Sequence, residues 1–138
     1  MIYFVRNPSV EIIKQMARKA GDFPDKDITP AKFLKRVITS ILGLNSFFLI
    51  SFVDEKKIKI DGFVMMSHQE SFAGNVLLIE YAWTEKGYKW GKTLMTAVEN
   101  VAKSLEYKKI VAETKRNTGA LERKYGFKET ARIISKEV

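Results

Sequence analysis

The chain has 138 residues, 46% hydrophobic and 12% aromatic, which is enough for one domain with an ordinary buried core and too apolar for wholesale disorder. It has no cysteine and one histidine, His68, which excludes disulfides, cysteine nucleophiles and thiolate or histidine-rich metal sites, and disfavours a Ser–His triad. The formal net charge of +8 draws polyanions (nucleic acid, anionic lipid or a phosphate-rich cofactor) but cannot choose among them, because the basic residues are dispersed along the chain.

In chain order, Met1 to Val5 is a short apolar run suited to a strand. The stretch "NPS" then opens a helix, with Asn7 or Ser9 as cap, Pro8 in the first turn, and Ile13, Met16, Ala17 and Ala20 at helical spacing before Gly21. An acidic loop, "GDFPDKD", leads to a second helix capped by Thr29 with Pro30 behind it. Its buried stripe is Phe33, Leu34, Val37, Ile38, Ile41 and Leu42, and Gly43 ends it.

From Ser46 the period changes. "SFFLISFV" reads as a strand covered on both faces, and the polar turn "DEKK" joins it to the strand "IKIDGFVMM". The loop "SHQESFAGN" precedes a further strand, "VLLIEYAW". A Gly-containing turn follows, then an amphipathic helix with Trp90, Leu94, Ala97, Val98, Val101, Ala102 and Leu105 on one side. "KKIVAET" reads as a strand, "NTGALERKY" as a short helix and "ARIISKEV" as a last strand. The order β-α-α-β-β-β-α-β-α-β predicts one α/β domain over residues 1–138, with a mixed sheet and helices on both faces. No basic-then-apolar leader opens the chain and no apolar run approaches ~18 residues, so a soluble, cytoplasmic protein without a membrane partner is expected.

The turn after "VLLIEYAW" carries the chemistry. "GYKWGKT" looks like a triphosphate loop, but that loop needs four residues between its glycines, and Gly87 and Gly91 enclose only Tyr88, Lys89 and Trp90. What remains is a strand, a Gly turn and a helix N-terminus, which together suit a phosphate or diphosphate. Lys86, Lys89 and Lys92 add positive charge there. The plainer alternative is that Gly87 ends the strand, Gly91 permits close packing and the lysines are solvated.

Turn and topology together resemble the GCN5-related N-acetyltransferases (GNATs). That family's acetyl-CoA site is a strand, a [Q/R]-x-x-G-x-[G/A] turn and a helix, matched here by Lys86-Gly87-Tyr88-Lys89-Trp90-Gly91 and "KTLMTAVENVAK". The strand "KKIVAET", Asn117 and the closing "KYGF" also fit. Lys89 stands where the family has its first motif glycine. Glu122 stands four residues before Gly126, where many members carry a proton-donating tyrosine.

The resemblance implies a mixed, mostly antiparallel sheet and an acetyl-CoA-dependent N-acetyltransferase in which a primary amine attacks the thioester directly, without metal or covalent enzyme intermediate. It assigns the diphosphate to the amides of Gly87 to Lys92 and the pantetheine arm to the strand near Trp83. Oxyanion donors would be the N–H groups around Tyr81 and Ala82. Glu80, a carboxylate in an apolar strand, is the candidate base, because an alkylammonium with a pKa near ~10 must lose a proton before attack; it can equally point to solvent or pair with a lysine on a neighbouring strand. Tyr125 and Tyr88 are candidate proton donors or packing residues. Asn117 binds pantetheine or caps a helix, and Lys115 and Arg116 meet the CoA 3′-phosphate or simply end a strand. Asp22, Asp25 and Asp27 receive the cationic amine or are turn and cap residues, and His68 and Glu70, in the loop before the CoA strand, line the acceptor side or are simply exposed. A homodimer is compatible with the resemblance. The rival classes are a non-catalytic CoA-binding protein of the same fold and, less favoured, a basic nucleic-acid-binding module.

Overall fold

Two hydroxyl caps start the first helices of the computed structural model, which describes residues 1–19, 28–71, 74–112, 125–128 and 136–137. In α1 (Val10–Arg18) the Ser9 hydroxyl accepts from the Ile12 N–H at 3.3 Å; in α2 (Pro30–Leu42) the Thr29 hydroxyl accepts from Lys32 at 3.2 Å. Each cap satisfies one of the N–H groups that a helix start leaves without an intrahelical partner. Pro30 occupies the first helical position as expected, whereas Pro8 is buried one residue before the Ser9 cap and not in the first turn. The apolar stripe of α2 is narrower than predicted. Phe33 and Val37 are fully buried, Leu34 and Ile41 flank them, and Ile38 and Leu42 are exposed, because the helix meets the rest of the chain along a single row. Gly43 ends α2 with an ordinary φ of −78°, and it is Leu44 that takes the left-handed conformation, φ 55°.

The sheet runs β1 (Ile2–Val5), β2 (Ser46–Asp54), β3 (Lys59–Ser71), β4 (Gly74–Thr84) and β5 (Lys109–Ala112), in the spatial order β1-β2-β3-β4-β5. Neighbours are antiparallel except β4 and β5, whose parallel pairing is made by the crossover helix α3 (Gly91–Ser104). The unbroken apolar run of β2 is explained by burial on both faces. Phe48 and Ile50 pack with Ile13, Met16, Phe33 and Val37 of α1 and α2, while Phe47 and Leu49 pack with Leu94, Val98 and Ala102 of α3. Phe33, Phe48 and Phe63 are fully buried, and truncating any of them to Ala would cost about 3–5 kcal/mol.

The predicted mixed, mostly antiparallel sheet with helices on both faces is therefore present, through β5. The expected last helix and strand fall mainly outside the described residues, as do Ala20, Gly21 and the acidic loop.

Three expectations are corrected. β3 does not stop at Met66 but continues to Ser71, pairing His68 with Leu77 and Glu70 with Asn75, so these polar residues are on a strand and not in a loop. Their polarity reflects partial exposure at the end of the hairpin, where backbone pairing with β4 and the His68–Tyr107 contact hold the strand. Trp90 is not on the buried face of α3; it is the residue before the helix and 59% exposed. Leu105 is likewise exposed, just beyond the last turn. Among the described residues, no helix is long and apolar enough to cross a membrane.

Candidate active site

The alternation of β4 changes phase in its middle. Leu77 and Ile79 pack on the α3 side of the sheet, but Tyr81 and Trp83 pack on the α1/α2 side. A regular strand would keep all four on one face. The change occurs at Glu80: Met66 pairs with Ile79 and Met65 with Tyr81, which leaves Glu80 as the extra residue of a β-bulge. Glu80 and Tyr81 consequently both reach the α2 side.

There the carboxylate meets α2. Arg36 donates through one terminal nitrogen to Glu80 Oε1 and through the other to the Ser40 hydroxyl, one helical turn further along. The Glu80 side chain is 11% exposed, and its second oxygen, Oε2, is buried with no hydrogen-bond partner among the described residues. Tyr81 lies beside this pair, its ring edge-on to Phe33 at 5.1 Å. Burial, then the Glu80 charge, pushes the Tyr81 hydroxyl above its usual value, and Arg36 opposes this. Glu80 thus neither points to solvent nor pairs with a lysine of a neighbouring strand; its partner is an arginine of α2.

Beyond Tyr81 the strand carries Ala82, exposed, and Trp83, buried against Phe63 with the Lys19 ammonium 5.0 Å from its ring. The Trp83 side chain is therefore core, and only its backbone is at the level of the strand edge. Among the described residues the β4–β5 ladder runs from Val76↔Lys109 to Ile79↔Ala112, so Glu80 lies just past its end.

The turn is closed by the Tyr88 N–H donating to the Glu85 carbonyl at 3.0 Å, with Gly87 at φ +81°, where a side chain would be strained. Tyr88 folds inward, over Gly62 of β3. A Cβ built on Gly62 would stand 3.3 Å from the Trp83 carbonyl and the Thr84 methyl and in ordinary contact, 3.6 Å, with the Tyr88 ring, so the glycine allows the close approach of β4. The Tyr88 hydroxyl is buried near Ser51, short of hydrogen-bond geometry, and burial raises its pKa. Tyr88 is thus a packing residue whose backbone helps form the turn.

Lys86, Lys89, Trp90 and Lys92 are exposed around the start of α3. Unlike α1 and α2, this helix has no side-chain cap, and like α2 it has no acidic residue in its first turn. Its first amides and its dipole are directed at the space bordered by these lysines. The Tyr125 hydroxyl reaches the same place: a Cβ built on Gly91 would lie 3.4 Å from it. Sequence positions 91 and 125 thus meet at the α3 N-terminus. Among the described residues, no group of three or more His, Asp or Glu is placed to hold a metal.

His68 sits apart from this site, its Nδ1 2.9 Å from the Tyr107 hydroxyl, with Glu70 3.8 Å from its Nε2. The Leu77 and Asn75 pairings place the two residues at the other end of β4 from Glu80. Asn117, Lys115, Arg116, Glu122, Asp22, Asp25 and Asp27 lie outside the described residues. Sequence reasoning missed Arg36, Ser40 and Gly62. Arg36 sits in "KFLKRV" among lysines and reads as solvent-facing. The only available signal was Ser40 at the i+4 position, which is too common to single it out.

No protein-family model matches the chain, and no curated protein matches it in sequence. Solved structures do match it from end to end. An aminoglycoside 6′-N-acetyltransferase of Acinetobacter haemolyticus has a TM-score of 0.76 at 14% identity, covering 100% of this chain and 99% of that one. The aminoglycoside N-acetyltransferase AAC(6′)-Iy, in complex with the bisubstrate analogue CoA-S-monomethyl-acetylneamine, has a TM-score of 0.73 at 15% identity, covering 100% and 98%. A predicted acetyltransferase of Clostridium acetobutylicum, with acetyl-CoA, has a TM-score of 0.71 at 15% identity, covering 99% and 96%. At these identities the likeness is one of fold. The chain has the fold of these acetyltransferases, the one its resemblance to the GCN5-related N-acetyltransferases implied.

Proposed function

We propose that this acetyltransferase-fold chain is an acetyl-CoA-dependent N-acetyltransferase that acts on a primary amine. The observation that carries the reading is Glu80: a carboxylate lifted out of β4 by a bulge, paired at one oxygen and, among the described residues, buried without a partner at the other. Bulges often re-aim a side chain beside an active site.

The remaining features fit the same chemistry. The uncapped N-terminus of α3 suits a diphosphate, held by the amides of Gly87 to Lys92 with Lys86, Lys89 and Lys92 adding charge. Lys89 contributes through its backbone N–H, as glycine would. Acetyl-CoA, when bound, supplies an activated acetyl group to which the amine adds directly. Glu80 Oε2 accepts the proton that the ammonium must lose. The N–H groups around Tyr81 and Ala82 are the candidate donors to negative charge developing on the carbonyl oxygen. The Tyr125 hydroxyl, at the start of α3, is the candidate proton donor to the departing thiolate.

Thermal unfolding with acetyl-CoA, CoA and a DNA duplex tests the ligand class. A ligand at ~100 times its Kd should add roughly 2.7 kcal/mol of stability. A shift with DNA and none with either CoA species would refute the reading. The chemistry is tested by thiol release across a panel of primary amines. A CoA shift without release would leave a CoA-binding protein that is not an enzyme. Glu80→Gln should lower kcat roughly 10²- to 10⁴-fold with the CoA shift intact. Gly91→Glu should abolish the shift, since it places bulk and negative charge at the helix start.

A further inference from the structure

The geometry points to Arg36 as a positioning residue, one that acts on the reaction through Glu80 without touching the acetyl group or the amine. The inference rests on the functional reading above and assigns a role to a residue on α2 that neither the turn nor the strand contains.

A bulged residue has no directly opposite neighbour across the ladder, so cross-strand packing does not fix its side chain. Something else must hold Glu80. Arg36 does so with both arms of its guanidinium: one terminal nitrogen donates to Glu80 Oε1 and the other to the Ser40 hydroxyl. Ser40 is 3% exposed and on the same helix, so it anchors the fork to a rigid element rather than to solvent. A guanidinium is planar and its donors are fixed relative to one another, so satisfying both partners sets its orientation. The carboxylate plane then follows, because one oxygen is taken. Only Oε2 remains, and it is the oxygen without a partner among the described residues. Arg36 therefore selects which carboxylate oxygen is left for proton transfer and where it sits.

A lysine would supply charge without the fork, and a glutamine would supply a donor without charge. Misplacement of a reacting group by about 1 Å can cost on the order of 100-fold in rate. The arrangement thus predicts a loss in kcat, with acetyl-CoA binding unchanged, since Arg36 is on α2 and remote in sequence from the turn at the start of α3.

The test is a double-mutant cycle on the full chain with acetyl-CoA and the best amine of the panel. Arg36→Ala should lower kcat by about 10-fold or more while the acetyl-CoA KM stays within about 2-fold. Arg36→Lys should recover part of the loss, and added methylguanidinium should raise kcat of Arg36→Ala but not of the native protein. In the Glu80→Gln background, Arg36→Ala should have little further effect, because the group it positions is gone. That double variant also has no buried carboxylate left unpaired, so it keeps the cycle readable if Arg36→Ala alone folds poorly. Equal fold losses in both backgrounds, or an unchanged kcat in Arg36→Ala, would overturn the role of Arg36 and leave the N-acetyltransferase reading standing. Absence of thiol release by the native protein across the amine panel would overturn that reading, and the positioning role with it.

Discussion

Leu44 takes a backbone conformation that its side chain disfavours. Its φ is 55°, its side chain is 81% exposed, and the glycine that should occupy such a place, Gly43, is one residue too early. The left-handed region costs a non-glycine residue roughly 1–2 kcal/mol, and nothing buried is lost by removing this leucine. Leu44→Gly should raise unfolding stability by about 1 kcal/mol, offset in part by the freer unfolded chain. Urea denaturation checks it: the midpoint rises with an unchanged m-value. A fall in the midpoint would mean that the exposed side chain is covered by something in solution. At the same scale, Glu80 stood out in the sequence because a carboxylate in an apolar strand needs a reason. Arg36 did not, because charge on a helix next to lysines is ordinary. Its role comes from a carboxylate 44 positions away.

Among the elements, α3 differs from α1 and α2 in how it starts. Those helices fill an orphan amide with Ser9 or Thr29, and α3 begins behind an exposed tryptophan with no cap. Trp90→Asp should therefore stabilise the free protein, by about 1 kcal/mol for the new cap. It should also weaken acetyl-CoA binding, since the carboxylate would take the amides proposed for the diphosphate and repel it. The two effects have opposite signs and are read in one thermal experiment, as a higher Tm without ligand and a smaller shift with it. A variant that gains stability and keeps the full CoA shift would remove the α3 N-terminus from the binding site. Element order was legible because caps, periodicity and turn residues are local. Strand ends were not. "SHQE" is polar and reads as loop, yet it extends β3, since backbone pairing with β4 does not require apolar side chains.

Across the whole molecule, the tyrosines set the alkaline limit. Burial raises the pKa of Tyr81, Tyr88 and Tyr107 above 10.0 in the folded chain. A raised folded-state value favours the neutral phenol, so the stability it represents is complete below the unfolded value near ~10 and is lost as pH rises through the folded values. Thermal stability should accordingly be flat from these groups below pH 10 and decline above it. Tyr81→Phe should make that decline shallower. Tyrosinate absorbance would follow the same groups directly, and a native titration complete at pH 10 would contradict the assignment.

Fold class was readable from sequence because β2, buried on two faces, and three amphipathic helices leave few layer arrangements open. The candidate-site geometry was not, because it depends on one residue of slippage between β3 and β4. That slippage is a matter of a single residue. Deleting position 80 would restore an even alternation with Ile79 still facing α3 and Tyr81 and Trp83 still facing α1 and α2, because the ladder already pairs Met66 with Ile79 and Met65 with Tyr81. The inserted residue is therefore a detachable part: both helical layers keep their partners without it, and what the shortened strand loses is the carboxylate aimed at Arg36.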